Sequence, residues 1–139
     1  MIRSAAALIL LAALPASAAE RYPGPYRADV LAVVDGDTVR ARVQVWPGQV
    51  AEGLIRIDGI DTPELRARCE SERQRARQAR EYLREMLRGR PLVFDVRADK
   101  YGGRYIGRIV TAQGIDVAQG LIAAGLARPY AGGKRAPWC

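Results

Sequence analysis

Asp35, Asp37, Asp61 and Glu64 offer carboxylates, and Arg56 and Arg104 offer guanidinium groups. They lie in three short segments: Val34-Asp35-Gly36-Asp37-Thr38-Val39, Arg56-Ile57-Asp58-Gly59-Ile60-Asp61-Thr62-Pro63-Glu64 and Asp99-Lys100-Tyr101-Gly102-Gly103-Arg104. Acidic oxygens and guanidinium forks in this order suit cleavage of a phosphodiester around a hard metal ion. Such an ion takes oxygen ligands from carboxylates, carbonyls and water, so at least two acids must be brought together by the fold. Asp37 and Asp61 are the two candidate carboxylates. Each sits beside a glycine or proline, where backbone carbonyls are also free to turn toward a cation. Glu64, just after the second segment, is suited to orient or deprotonate an attacking water. Arg104 brings a second positive group for the charge that develops on phosphoryl oxygens.

Plainer readings exist for each motif alone. Asp35-Gly36-Asp37-Thr38 is also an ordinary hairpin turn, and Asp61-Thr62-Pro63-Glu64 a turn leading toward a helix. Arg56 resists a plain reading: a guanidinium within the apolar stretch Leu54 to Ile57 needs a partner or an open groove, because burying an unpaired charge is costly.

The elements that must position these residues follow from periodicity. A strand is expected from Arg27 to Val34, turning at Asp35-Gly36 into a second from Thr38 to Val45. Trp46-Pro47-Gly48 turns the chain again, and a third strand through Leu54 to Ile57 sets Leu54 and Arg56 on one face and Ile55 and Ile57 on the other. Ser71 with Gln74 reads as a capping box. It opens a helix whose apolar set is Ala76, Ala79, Tyr82, Leu83, Met86 and Leu87, with Gly89 to end it. The opposite face, rich in arginine and glutamate, reads as solvated or as a surface touching substrate. Pro91 to Ala98 and Ile106 to Thr111 read as strands, the former alternating Leu92, Phe94, Val96 against Val93, Asp95, Arg97. Asp116 with Gln119 caps a short helix through Leu126. Residues Glu20 to Pro25 read as a loose lead-in, and Tyr130 to Cys139 as irregular chain. Five short strands with a helix between the third and fourth make the order of an OB-fold barrel, a mostly β α+β class with two helices.

Composition narrows the chemistry. Met1-Ile2-Arg3, an apolar run from Ala5 to Leu14 and the small residues up to Ala19 form a secretory signal peptide over 1–19, which leaves residues 20–139 as one domain in a secreted or periplasmic setting. The apolar run is too short to span a bilayer. The full chain carries a formal charge of +7, and loss of Arg3 makes it +6. Lys100 and Lys134 are the only lysines, so nearly all the cation is guanidinium, which matches phosphate oxygens bidentately. The absence of histidine excludes a Ser-His-Asp triad and any His-ligated zinc. Cys69 and Cys139 allow a single intramolecular disulfide, favoured in an oxidising compartment.

The three segments, with Gly125-Leu126-Ala127 after the second helix, resemble the staphylococcal nuclease, or thermonuclease, family from about Asp29 to Tyr130. The resemblance implies that Asp37 and Asp61, with the Thr62 carbonyl, bind calcium (Ca2+), that Asp35 stands in the outer shell of the metal, and that Arg56, Arg104 and Glu64 are catalytic. It also implies that Lys100 and Tyr101 contact a neighbouring phosphate and that Tyr130 stacks on a base or packs in the core. The implied activity is cleavage of DNA and RNA with low sequence preference, single strands favoured, by a monomer that leaves 3′-phosphates. Three departures accompany it. Tyr101-Gly102-Gly103-Arg104 has one glycine more than the common pattern, which puts the reach of Arg104 in question and brings Arg108 forward as a substitute. The stretch after Glu64 is short and holds Cys69. The family's last long helix is missing after Tyr130, where a Cys69–Cys139 bridge would replace its packing. Two other readings stay open: a secreted OB-fold module that binds nucleic acid without turnover, and a disulfide-stapled structural or inhibitor domain.

Overall fold

A computed structural model describes Ala13, Pro15 and residues 18–139, so the leader expected over 1–19 lies largely outside the described residues. Strands β1 (Tyr26–Val33), β2 (Thr38–Trp46), β3 (Gln49–Ile57), β5 (Leu92–Ala98) and β6 (Arg104–Val110) close into a barrel in the order β1-β2-β3-β6-β5. All neighbours are antiparallel except β3 and β6, which run parallel. Two helices, α1 (Glu70–Met86) and α2 (Val117–Ala123), and a two-residue ladder of β4 (Ile60–Asp61) with β7 (Arg128–Pro129) complete the fold. This is the mostly β, OB-like barrel with two helices expected from the pattern. Among the described residues no helix follows Tyr130, and none is long and apolar enough to cross a membrane.

The core gathers one face of each strand with one stripe of each helix: Val39, Ile55, Ile57, Val93 and Ile109 from the barrel, Leu83 and Leu87 at α1, Val117 and Leu121 from α2. Burying branched side chains of this size contributes roughly 1.5–3 kcal/mol each. Ile55 and Ile57 point inward as alternation requires, which leaves Arg56 on the outer face.

Four expectations are corrected. Helix α1 begins at Glu70 with Cys69 as N-cap and no side-chain cap bond, so the Ser71–Gln74 capping box does not form. Cys69 is bonded to Cys139, so the residue that opens the helix is also the one tied to the end of the chain. Tyr82 is 40% exposed and lies off the buried stripe of Ala76, Ala79 and Leu83. In β5 an extra residue between Phe94 and Arg97 breaks the strict alternation, with Asp95 at φ 52°, so Val93 and Val96 face the core on either side of the bulge. The lead-in is not loose: Tyr22 bridges Val96 through hydrogen bonds of 2.8 and 2.9 Å.

Candidate active site

The turn from β1 to β2 carries the first acids. Asp35 Oδ1 accepts the Asp37 N–H at 3.0 Å, and the N–H groups of Val34 and Asp35 both donate to the Thr38 carbonyl. The Thr38 hydroxyl donates to Asp37 Oδ1 at 2.8 Å, and Asp37 Oδ2 lies 3.7 Å from Arg56. Gly36 presses this turn onto the next segment: a Cβ placed there would stand 3.2 Å from Thr62 Cβ and 2.8 Å from Ala79 Cβ. The two acidic segments, distant in sequence, therefore meet through Gly36 and Thr62. Burial, with the charges of Asp37 and Glu64, pushes the Asp35 carboxyl up to about 7.

Arg56 leaves the outer face of β3 and is satisfied without an open groove. Its guanidinium donates to the carbonyls of Ile57 at 3.4 Å and Ile60 at 3.0 Å, faces Asp37, and lies 6.0 Å from the Tyr130 ring centroid. Parallel pairing sets Leu54 opposite Arg104 and Arg56 opposite Ile106, so both arginines rise from one face of adjacent strands. The additional glycine is absorbed in the turn before β6. Gly103 takes φ +74°, its carbonyl accepts the Leu54 N–H at 3.2 Å, and Arg104 becomes the first residue of the strand. Arg104 pairs with Asp99 and lies 4.6 Å from the Tyr101 ring, beside Lys100. Burial raises the Asp99 carboxyl, but the bond from Arg104, the Lys100 N–H and the charges of Arg104 and Arg56 hold it below the usual range. Arg108, farther along the same face of β6, pairs with Asp116 and lies over Phe94.

Asp61, Thr62 and Glu64 converge on one cation, and it is a residue of the chain. Asp61 is 2% exposed. The Arg135 guanidinium donates to Asp61 Oδ1, to Glu64 Oε1 and, at 3.0 Å, to the Thr62 carbonyl. Asp61 Oδ2 accepts from the Trp138 indole N–H at 3.0 Å and from Arg128 Nε at 3.4 Å. Arg128 is brought there by the β4–β7 ladder, where it pairs with Asp61, and its guanidinium stacks on Trp138 at 4.0 Å. Burial lowers the pKa of Arg135, but the bonds to Asp61 and Glu64 outweigh it and hold the group above its ordinary value. Glu72, 8% exposed in the first turn of α1, accepts the Glu64 N–H at 3.1 Å and fixes the backbone there.

The candidates thus fall into two touching groups. Asp35, Asp37, Arg56, Tyr130, Lys100, Tyr101 and Arg104 lie on one side, and Asp61, Thr62 and Glu64 on the other, joined by Gly36 and by Arg56 reaching Ile60. Tyr130 is half-buried, with its hydroxyl donating to Gly133. Cys69 and Cys139 form the disulfide. Two carboxylates and a carbonyl are hard donors of the kind calcium takes, and here the three oxygens are gathered around the Arg135 guanidinium. The carboxylates of Asp35, Asp37 and Asp61 do not all lie within 4.8 Å of one another. The one acid and cysteine cluster that tight among the described residues is Cys69, Glu72 and Cys139, whose sulfurs are spent in the disulfide. A groove of about 670 Å³ lined by Tyr22, Tyr26, Val43 and Tyr105 holds none of the candidate residues.

Sequence reasoning missed Arg128, Arg135, Trp138, Glu72 and Asp99. One signal existed for the tail. Cys69 lies five residues past Glu64, and a bridge to Cys139, with Cα atoms 6.0 Å apart, must bring Arg135 and Trp138 near that segment. A family model described as staphylococcal nuclease homologue matches residues 54–136. No curated protein matches the chain at a significant level.

Proposed function

The chain belongs to the staphylococcal nuclease family, and from that membership we propose that it is a calcium-dependent nuclease that hydrolyses DNA and RNA with low sequence specificity. The observation that carries the reading is the convergence of Asp61 Oδ1, the Thr62 carbonyl and Glu64 Oε1 on a single positive group, with the Asp35–Asp37 turn seated against Thr62. Calcium held by Asp37, Asp61 and the Thr62 carbonyl would polarise the phosphoryl oxygen. Glu64 takes the proton of the attacking water. Arg56 and Arg104, on one face of β3 and β6, offset the charge that builds on the phosphoryl oxygens. Lys100 and Tyr101, both exposed beside Arg104, grip the adjoining phosphate, single strands preferred, and cleavage leaves 3′-phosphates. The leader pattern and the single disulfide support export of a monomer to the periplasm or beyond.

Purified protein is expected to degrade single-stranded DNA and RNA when calcium is added and to stop with chelator. Glu64→Ala is expected to lower kcat by about 10² to 10⁴, and Arg56→Ala or Arg104→Ala by about 10² to 10³ each. Degradation indifferent to chelator, or full activity of Glu64→Ala, would sink the reading. A second reading, a module that binds nucleic acid without turnover, is favoured by the engagement of Asp61 and Glu64 by Arg135. It requires equal DNA binding with and without chelator and no digestion.

A further inference from the structure

Arg135 uses the oxygens that the nuclease reading assigns to metal and water. Its three donor groups meet Asp61 Oδ1, the Thr62 carbonyl and Glu64 Oε1, while Trp138 and Arg128 occupy Asp61 Oδ2. A divalent ion on Asp61 and Thr62 would face a guanidinium on the same atoms, and two like charges crowded onto one buried carboxylate repel strongly where water cannot screen them. A carboxylate as buried as Asp61 also needs a counter-charge in the absence of an ion, and the chain supplies it.

The segment bearing Arg135 is joined to the body by side chains and not by backbone pairing. Among the described residues, no backbone–backbone hydrogen bond joins residues 131–139 to the rest of the chain beyond Tyr130. The tail is held by the side chains of Arg135 and Trp138, by Arg128 donating to the carbonyls of Ala136 and Pro137, by the Tyr130 hydroxyl donating to Gly133, and by the bond from Cys139 to Cys69. A cleft of about 310 Å³ lies between this segment and α1, lined by Arg68 and Glu72 on one side and by Arg135 and Trp138 on the other. The disulfide stops the tail from diffusing away and keeps Arg135 at high effective concentration over the acids.

We propose that Arg135 is a tethered competitor of calcium: it occupies the Asp61, Thr62 and Glu64 oxygens when no ion is bound, and must swing out for the ion to enter. Arg135 therefore sets the calcium concentration at which the site fills. This inference rests on the calcium-dependent nuclease reading, and its test measures the ion directly.

Calcium alone is titrated calorimetrically into the oxidised full chain and into Arg135→Gln and Arg135→Lys, with folding checked by circular dichroism. Arg135→Gln is expected to bind calcium about tenfold more tightly, the equivalent of about 1.4 kcal/mol. Arg135→Lys keeps the charge but cannot serve three oxygens at once, and is expected to bind more tightly than wild type by a smaller factor. Either folded variant binding calcium no more tightly than wild type overturns the inference while leaving the nuclease reading standing. Wild-type affinity in Arg135→Lys would mean a through-space effect of charge and not competition for the oxygens. If neither wild type nor the variants bind calcium, the inference falls together with the calcium reading, and digestion assays then separate a nuclease using another metal from none.

Discussion

Gly36 is where two residues without large side chains decide whether the acidic segments can meet. Thr62 and Ala79 close on it so tightly that a methyl group has no room, and the glycine is required for approach and not for backbone conformation. Gly36→Ala is expected to destabilise the protein by about 1–3 kcal/mol, as overpacking does. Urea unfolding of that variant measures it, and the double variant with Ala79→Gly should recover much of the loss. A Gly36→Ala protein as stable as wild type would show that the turn is not seated as described. Arg56 makes the complementary point. The sequence marks it as a charge in an apolar strand, and the structure answers the charge with two carbonyls and Asp37 while keeping its side chain 19% exposed.

At the scale of elements, the bulge in β5 does what strict alternation cannot. Without the extra residue, Arg97 would share the inward face of Val93; with it, Arg97 turns out to meet Asp58 in the β3–β4 turn through bonds of 2.8 and 2.9 Å. That pair ties the strand to the segment leading to Asp61. The hydrogen bonds from Arg97 hold the Asp58 carboxyl below its ordinary value, ahead of the opposing effect of burial. A carboxyl lowered on folding contributes stability above its unfolded pKa and loses it as pH falls through the folded value. Asp58→Asn is therefore expected to cost about 1 kcal/mol near pH 6, modest because the carboxylate is more than a third exposed, and progressively less as the pH falls below the ordinary carboxylate range. Denaturant midpoints of both proteins over that fall in pH check this; a difference that grows on acidification would contradict it.

Over the whole molecule, the arginine excess is less available than the count suggests. On α1, Arg73 and Arg77 pair with Glu70 and Arg84 with Glu81, and just past its end Arg88 pairs with Glu85, so part of this face neutralises itself. Lys100, without an ion pair among the described residues and beside Arg104 at Tyr101, is one cation available to phosphate. Binding of single-stranded DNA by the chelated protein is expected to weaken linearly in log–log terms with added salt. Lys100→Ala should reduce the slope by about 1, whereas Arg77→Ala leaves it unchanged. Equal slopes for both variants would place the bound strand elsewhere on the surface.

Period and punctuation in the sequence determined the five barrel strands, both helices, the inward face of β3 and the turn at Asp35-Gly36, because these depend on contacts between near neighbours. The cysteine count determined the one disulfide. What only the tertiary structure decided depends on residues brought together across the chain: the N-cap at Cys69, the bulge at Asp95, Arg56 set against Asp37, and the short ladder of β4 with β7. Arg135 belongs with these. Nothing local distinguishes an arginine in an aperiodic tail, and its meeting with Asp61, Thr62 and Glu64 exists only because the barrel, the ladder and the disulfide bring the two ends of the domain to one buried carboxylate.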